Sequence, residues 1–399
     1  MISDEIIKSA SSVYRTPFYI YNKAEIIEHA NIIKDTIFEK AQLFFSMKAN
    51  PEKEIIKCLL EQGCGVEVAS LGELNKAIDA GCLPNNLIFT GPGKQYEELE
   101  AAIKIGIYCI NIENLHEIEI ISDIATKHQK DVNIGIRVNL QGTKSGKISM
   151  NGVTQFGIGE GKVSDAIAIA KKNRFIHVIG FQVYSGTQIL DADVLTENVK
   201  QITEVVFELA RTYEINMKYI NFGGGFGVPY FQNDVELDIE KLKKELLDVY
   251  EQNPQLADVE RIIFESGRYI LAEAGCFVVK VLYEKEVNDS KFIICDGGSN
   301  FHSSAAFLGR FVRNNFPMHS ISEGPEEKVT IVGNLCTPTD VIGQNVLINK
   351  VDVGDLIVIE KSGAYGLSFS PLSFLSHRLP SQIMYDNGSF IDMGKGINL

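Results

Sequence analysis

From residue 23 to about 275, short apolar runs alternate with stretches whose apolar residues recur every three or four positions. The runs lie at 42–47 (QLFFSM), 64–68, 86–90, 107–111, 133–138, 176–183, 217–222 and 260–265, and each reads as a buried strand. Between them, Ile55, Ile56, Leu59 and Leu60, and again Leu99, Ala102, Ile103 and Ile105, fall on one face of a helix. Asn114 and Ser164 stand where helix caps are expected, and Glu117, three residues after Asn114, adds a capping-box pattern. Eight strand–helix units over roughly 250 residues is the arithmetic of a (β/α)8 TIM barrel. A doubly wound sheet is the alternative. No fixed period repeats along the chain, which disfavours a solenoid.

Beyond residue 276 the texture changes. Segments 277–284, 291–296, 328–333, 344–349 and 355–360 are short, rich in β-branched residues and separated by Gly, Asn, Asp and Pro. They predict an antiparallel β domain. The strand-like 17–21 (PFYIY) precedes the first barrel helix and can join that domain, which is then formed from both chain ends. The expected division is a barrel over 23–275 and a β domain from 1–22 and 276–399.

Composition narrows the function. With 399 residues and 45% hydrophobic positions the chain can bury a large core, and its net charge of −14 repels phosphate backbones, so nucleic acid is not an expected partner. No apolar run reaches the ~18–20 residues of a membrane span, and Asp4 and Glu5 stand where a secretory signal is basic. Seven cysteines, odd in number and without a CxxC pair, suggest neither a disulfide framework nor a metal site. A reduced, cytoplasmic location is expected.

In such a barrel, chemistry collects at the C-terminal ends of the strands. Lys48 follows the first strand, Gly223, Gly224, Gly225 and Gly227 follow the seventh, and Glu265, Gly267 and Arg268 follow the eighth. The glycines allow backbone N–H groups to ring a phosphate, the more so after strand seven and with a guanidinium nearby; a tight turn is the plainer reading. Val228 breaks the dinucleotide pattern G-x-G-x-x-G. Gly91-Pro92-Gly93-Lys94 fails the P-loop spacing, and Gln95 replaces its Ser or Thr. Most lysines merely snorkel at the surface, but one desolvated in a barrel mouth has a more available amine, suited to an imine with a carbonyl cofactor. Glu265 could hold the proton of a pyridine nitrogen. A phosphate cradle, an imine lysine and such an acid together describe a pyridoxal phosphate site.

These residues sit within KAN (48–50), EVAS (67–70), GPGK (91–94), GGG (223–225), ESGR (265–268), DGG (296–298), CTPTD (336–340) and SGAYG (362–366). Through them the chain resembles, nearly end to end, the fold-type III pyridoxal phosphate-dependent amino-acid decarboxylases, which include the diaminopimelate and ornithine decarboxylases. INFGGGFGVPYF, ESGRY, LCTP and SGAYGLSFSP are most similar to the branch acting on L-glutamate tethered to an acyl carrier protein. The resemblance implies an alanine-racemase-like barrel and an amino-acid decarboxylase. It makes Lys48 the Schiff-base lysine and gives the phosphate to Gly223, Gly224, Gly225 and Arg268 with a further hydrogen bond from Tyr365, and it places Gly267 among the cofactor contacts. Glu265 would pair with the pyridine nitrogen, Glu67 would lie near the ring, and Arg137 would support the barrel interior. Cys336 would donate a proton to Cα. Cys336 and Tyr365 would be shared across a head-to-tail homodimer.

Two positions depart from the diamino-acid enzymes. Tyr184 stands where those carry a ring-stacking His, and a phenol can still stack. Thr337 follows Cys336 where they place an acid for the substrate's distal ammonium. Breaking such a buried pair costs ~3–5 kcal/mol, so an uncharged distal group such as an acyl thioester is expected. Arg310 and Arg313 are candidates for substrate carboxylate recognition, with solvated surface arginines as the plainer reading. Lys144 and Lys147, in the loop 141–152, are a candidate docking patch for an acidic carrier protein. His302, His319 and His377 read as ordinary polar residues.

Overall fold

The computed structural model describes residues 2–140, 148–149, 153–306 and 314–394. Arg310, Arg313, Lys144 and Lys147 therefore lie outside the described residues. The eight barrel strands are Ala41–Ser46, Gly65–Val68, Leu87–Thr90, Cys109–Ile112, Val132–Asn139, Ile176–Gln182, Tyr219–Asn221 and Arg261–Ser266. Every neighbouring pair is parallel, and the eighth strand pairs with the first, Phe264 opposite Leu43, which closes the ring. Outward residues such as Phe45, Val66 and Phe89 join the main core under the helices, whereas Phe44, Ile88, Cys109, Ile179, Tyr219 and Ile263 form a separate cluster. Gly135 makes room there: a Cβ on it would lie 2.5 Å from Asn111 Oδ1 and 2.8 Å from the Tyr219 ring.

The helix Leu115–His128 starts as expected, with the Asn114 side chain accepting from His116 N. Glu117 caps one residue further back, accepting from Glu113 N at 2.8 Å. Ser164 is a correction: the helix begins at Val163 behind Lys162, so Ser164 lies inside its first turn and caps nothing.

Phe18–Asn22 enters the second sheet between Gly275–Val287, antiparallel, and Ser381–Asp386, parallel. The sheet continues through Ser290–Cys295, Glu326–Val332 and Val341–Asn349 on one side and Ser389–Gly394 on the other. Ser290–Cys295 and Glu326–Val332 are also parallel, so two parallel ladders run within a largely antiparallel domain. The helix Asp4–Val13, not evident in the apolar pattern, lays Ile7 and Ala10 against Phe18, Ile20, Val278 and Ile383. Among the described residues, no helix is long and apolar enough to cross a membrane.

Candidate active site

The first barrel strand ends in a single 3-10 turn, Met47–Ala49, that buries Met47 and Ala49 and turns Lys48 into the mouth of the barrel. The second domain holds this turn. Tyr365 N donates to Ala49 O at 2.9 Å and Ser368 Oγ donates to the same oxygen at 3.0 Å. Gly267, after the eighth strand, packs so closely beneath it that a Cβ would lie 2.8 Å from Ala49 Cβ and Ser46 O.

Lys48 Nζ lies 3.3 Å from Glu67 Oε2 and 5.9 Å from the centre of the Tyr184 ring. Burial by itself pushes the ammonium pKa down, but the Glu67 carboxylate, with Tyr365, Glu265 and Tyr184, outweighs it and holds Lys48 above the usual lysine range. The amine is thus not made available by desolvation, as the sequence suggested. Its counter-ion keeps it charged.

Glu265 is 2% exposed, and its Oε1 accepts from Asn221 Nδ2 at 2.7 Å and Gln182 Nε2 at 2.8 Å. Burial, reinforced by Glu67, pushes its carboxyl up to about 7 despite the opposing pull of Lys48, the Asn221 bond and Arg137. Arg268 stacks its guanidinium 4.6 Å from the centre of the Tyr365 ring and donates to Tyr230 Oη at 3.2 Å. Tyr365 itself sits at φ 56°, a backbone region that is uncommon for a bulky residue and often marks function. Burial pushes its phenol up to about 12 against the pull of Lys48 and Arg268, so it keeps its proton and can donate.

The loop after the seventh strand needs its glycines. Gly223 has φ 66°, and a Cβ there would lie 2.3 Å from Tyr184 Cδ2; on Gly224 it would lie 2.3 Å from Glu265 O. Among the described residues, the N–H groups of Gly224 and Gly225 have no acceptor. Arg268 Nε and Ser185 Oγ are likewise buried without a hydrogen-bond partner. Orphaned donors beside a charged guanidinium fit a phosphate, and a buried carboxylic acid with one uncommitted oxygen fits a pyridine nitrogen. The residues present therefore fit pyridoxal phosphate.

The chain thus brings together Lys48, Glu67, Tyr184, Gly223, Gly224, Gly225, Glu265, Gly267, Arg268 and Tyr365. Tyr365 stands within this chain's own site, its N–H on Ala49 O and its ring against Arg268, which corrects its expected place at a partner's site. Cys336, exposed, and Thr337, half-buried, lie on one bend of the chain. Thr337 Oγ1 bonds Thr339 Oγ1 at 2.9 Å, and neither Cys336 nor Thr337 bonds a residue around Lys48. Arg137 pairs with Glu113 at 2.8 Å with both side chains buried, as a support would. Lys94 of the GPGK segment is spent on Glu117, 2.5 Å away, and on Gly91 O. Gln182, Ser185, Asn221 and Tyr230 were not foreseen. The signal for Gln182, Ser185 and Asn221 is faint, polar side chains at or just past the ends of strands that otherwise read as apolar, and Tyr230 lies in a loop with none.

The family model "Pyridoxal-dependent decarboxylase, pyridoxal binding domain" matches residues 23–272. The L-glutamyl-[BtrI acyl-carrier protein] decarboxylase of Niallia circulans is 39% identical, covering 96% of this chain and 92% of that one. The 2-[(L-alanin-3-ylcarbamoyl)methyl]-2-hydroxybutanedioate decarboxylase of Staphylococcus aureus is 34% identical over 92% and 93%. The crystal structure of diaminopimelate decarboxylase from Helicobacter pylori complexed with L-lysine superposes with a TM-score of 0.88 at 26% identity, covering 98% of this chain and 96% of that one.

Proposed function

This chain belongs to the pyridoxal-dependent decarboxylases, and on that premise we propose that it removes the α-carboxylate, as carbon dioxide, from an L-glutamyl group held as a thioester on an acyl carrier protein. The observation that carries the choice of substrate is Thr337, a neutral residue directly after Cys336. A free diamino acid would bring a distal ammonium to a site without a carboxylate for it, at a cost of ~3–5 kcal/mol. An acylated distal group carries no such charge. The relative at 39% identity acts on a carrier-bound substrate of this kind.

Pyridoxal phosphate, when bound, supplies a sink for the electron pair released as the bond from Cα to the carboxylate breaks. Lys48 Nζ would hold the cofactor's aldehyde carbon and yield it to the substrate amine. Gly224 and Gly225 N–H, Arg268 and Tyr365 Oη would bind the phosphate, and Tyr184 would lie against the ring. Glu265 would keep a proton at the ring nitrogen, which favours loss of carbon dioxide over racemisation. Cys336 would return a proton to Cα. Because Cys336 and Thr337 share no bond with this chain's Lys48 neighbours, we assign them to the site of a second copy in a head-to-tail homodimer. We take 23–275 as the cofactor-binding unit, 1–22 with 276–399 as the second domain, and the cytoplasm as the location.

The same neutral Thr337 also suits a conjugated diamino acid, the class on which the relative at 34% identity acts. A silent regulatory homologue would need neither Lys48 nor Cys336. Mass spectrometry of a panel decides. Glutamyl-loaded carrier protein should lose carbon dioxide while free diaminopimelate and ornithine stay intact, and the reverse preference would reject the proposal. Turnover of the conjugate alone would establish the second reading.

A further inference from the structure

Asn221, fully buried at the end of the seventh strand, has both ends of its amide committed. Its Oδ1 accepts from Gly223 N at 2.8 Å, while its Nδ2 donates to Tyr219 Oη at 3.0 Å and to Glu265 Oε1 at 2.7 Å. A backbone N–H can only donate, so this amide has one orientation: oxygen toward Gly223, nitrogen toward Glu265. The bonds beyond it agree. Tyr219 Oη donates to Asn111 Oδ1 at 3.1 Å, and Asn111 Nδ2 donates to Thr90 Oγ1 at 3.0 Å.

Gln182 Nε2 meets the same Glu265 oxygen from the sixth strand, at the expense of leaving its own buried Oε1 without a partner. Two amide N–H groups thus aim at Oε1, and a proton placed there would face both. Oε2 takes no hydrogen bond among the described residues. We infer that Asn221 is a positioning residue: fixed by the N–H of Gly223, and seconded by Gln182, it keeps Oε1 of Glu265 an acceptor and confines the exchangeable proton to Oε2. The inference rests on the reading of Glu265 as the acid for the cofactor's ring nitrogen, and adds which oxygen serves and what selects it. It also removes Gly223 N–H from the phosphate cradle. The glycine loop and the acid are joined through one side chain, so a displacement of either is felt at the other.

The test is an infrared titration of the protein without cofactor, following the protonated carboxyl band that Glu265→Gln abolishes. Asn221→Leu and Gln182→Met each remove a donor that favours the ionised form, so the midpoint should rise by about one pH unit or more in both. If Asn221→Leu does not fold, Asn221→Ala replaces it, since it likewise offers no N–H and adds no second carboxyl to the titration. An unchanged midpoint in the folded Asn221 variant overturns the inference, whatever Gln182→Met does; a rise in that variant upholds it. The proposed function fails separately. A protein that takes up no pyridoxal phosphate refutes that function and leaves the titration readable.

Discussion

The Glu265 carboxyl is held at about 7, above its ordinary value of 4.5, chiefly by burial. A raised folded-state pKa means that the native chain binds the proton more tightly than the unfolded one. Its contribution is intact below pH ~4.5 and is lost as pH rises toward about 7. The cofactor-free protein should therefore melt at a lower temperature at pH 8 than at pH 5. Glu265→Gln should flatten that slope, recovering at most about 3 kcal/mol at pH 8; calorimetry at the two values checks it. Lys48 carries the covalent prediction. Borohydride with excess pyridoxal phosphate should label Lys48 and leave Lys48→Ala unlabelled, read by peptide mass mapping. A colourless wild-type protein that stays unlabelled at position 48 would remove the cofactor assignment altogether.

At the scale of elements, the N-terminal helix Asp4–Val13 is tied down by His319, whose Nε2 lies 3.0 Å from Asp4 Oδ1 and whose Nδ1 lies 2.8 Å from Glu360 Oε1. The hydrogen bond to Glu360, then that to Asp4, raises the imidazole above 6.5 in spite of partial burial. The added stability is present in full below pH ~6.5 and disappears as pH climbs through the raised value. With the side chain 38% exposed, the two bonds together contribute about 1 kcal/mol or less. His319→Ala should lower the melting temperature at pH 6 and leave it nearly unchanged at pH 9. Neither the helix nor the latch is legible in the chain, because DEIIKSASSV buries only Ile7 and Ala10 and His319 lies 315 positions from Asp4. The barrel strands are legible because buried parallel strands read as continuous apolar runs bounded by turn residues, QLFFSM being one. What blurs is their inward face. Asn221 and Gln182 look like ordinary polar ends of strands, and only the closed ring reveals that both converge on Glu265.

Across the whole molecule, the strand Phe18–Asn22 is the seam between the two sheets' worth of sequence: it leads into the barrel yet pairs wholly within the second domain. Ile20, fully buried against Ile7, Val278 and Ile383, should cost about 2–5 kcal/mol when cut to alanine. Denaturant unfolding should show this as a lowered midpoint with the slope retained. The glycine cradle and the acid at the end of strand eight could be found by spacing alone, because each is local. The grip on Lys48 could not, since Tyr365 and Ser368 reach it from over 300 residues downstream.

That grip bears on how the protein can be divided. A fragment ending at residue 275 would keep the barrel residues proposed to hold the cofactor but lose Tyr365, and with it the two donors that hold Ala49 O. Its amine would ride on an untethered turn, free to wander from the aldehyde. Splitting the gene there should yield a vessel that captures the vitamin loosely and turns over nothing until the missing half is supplied in trans.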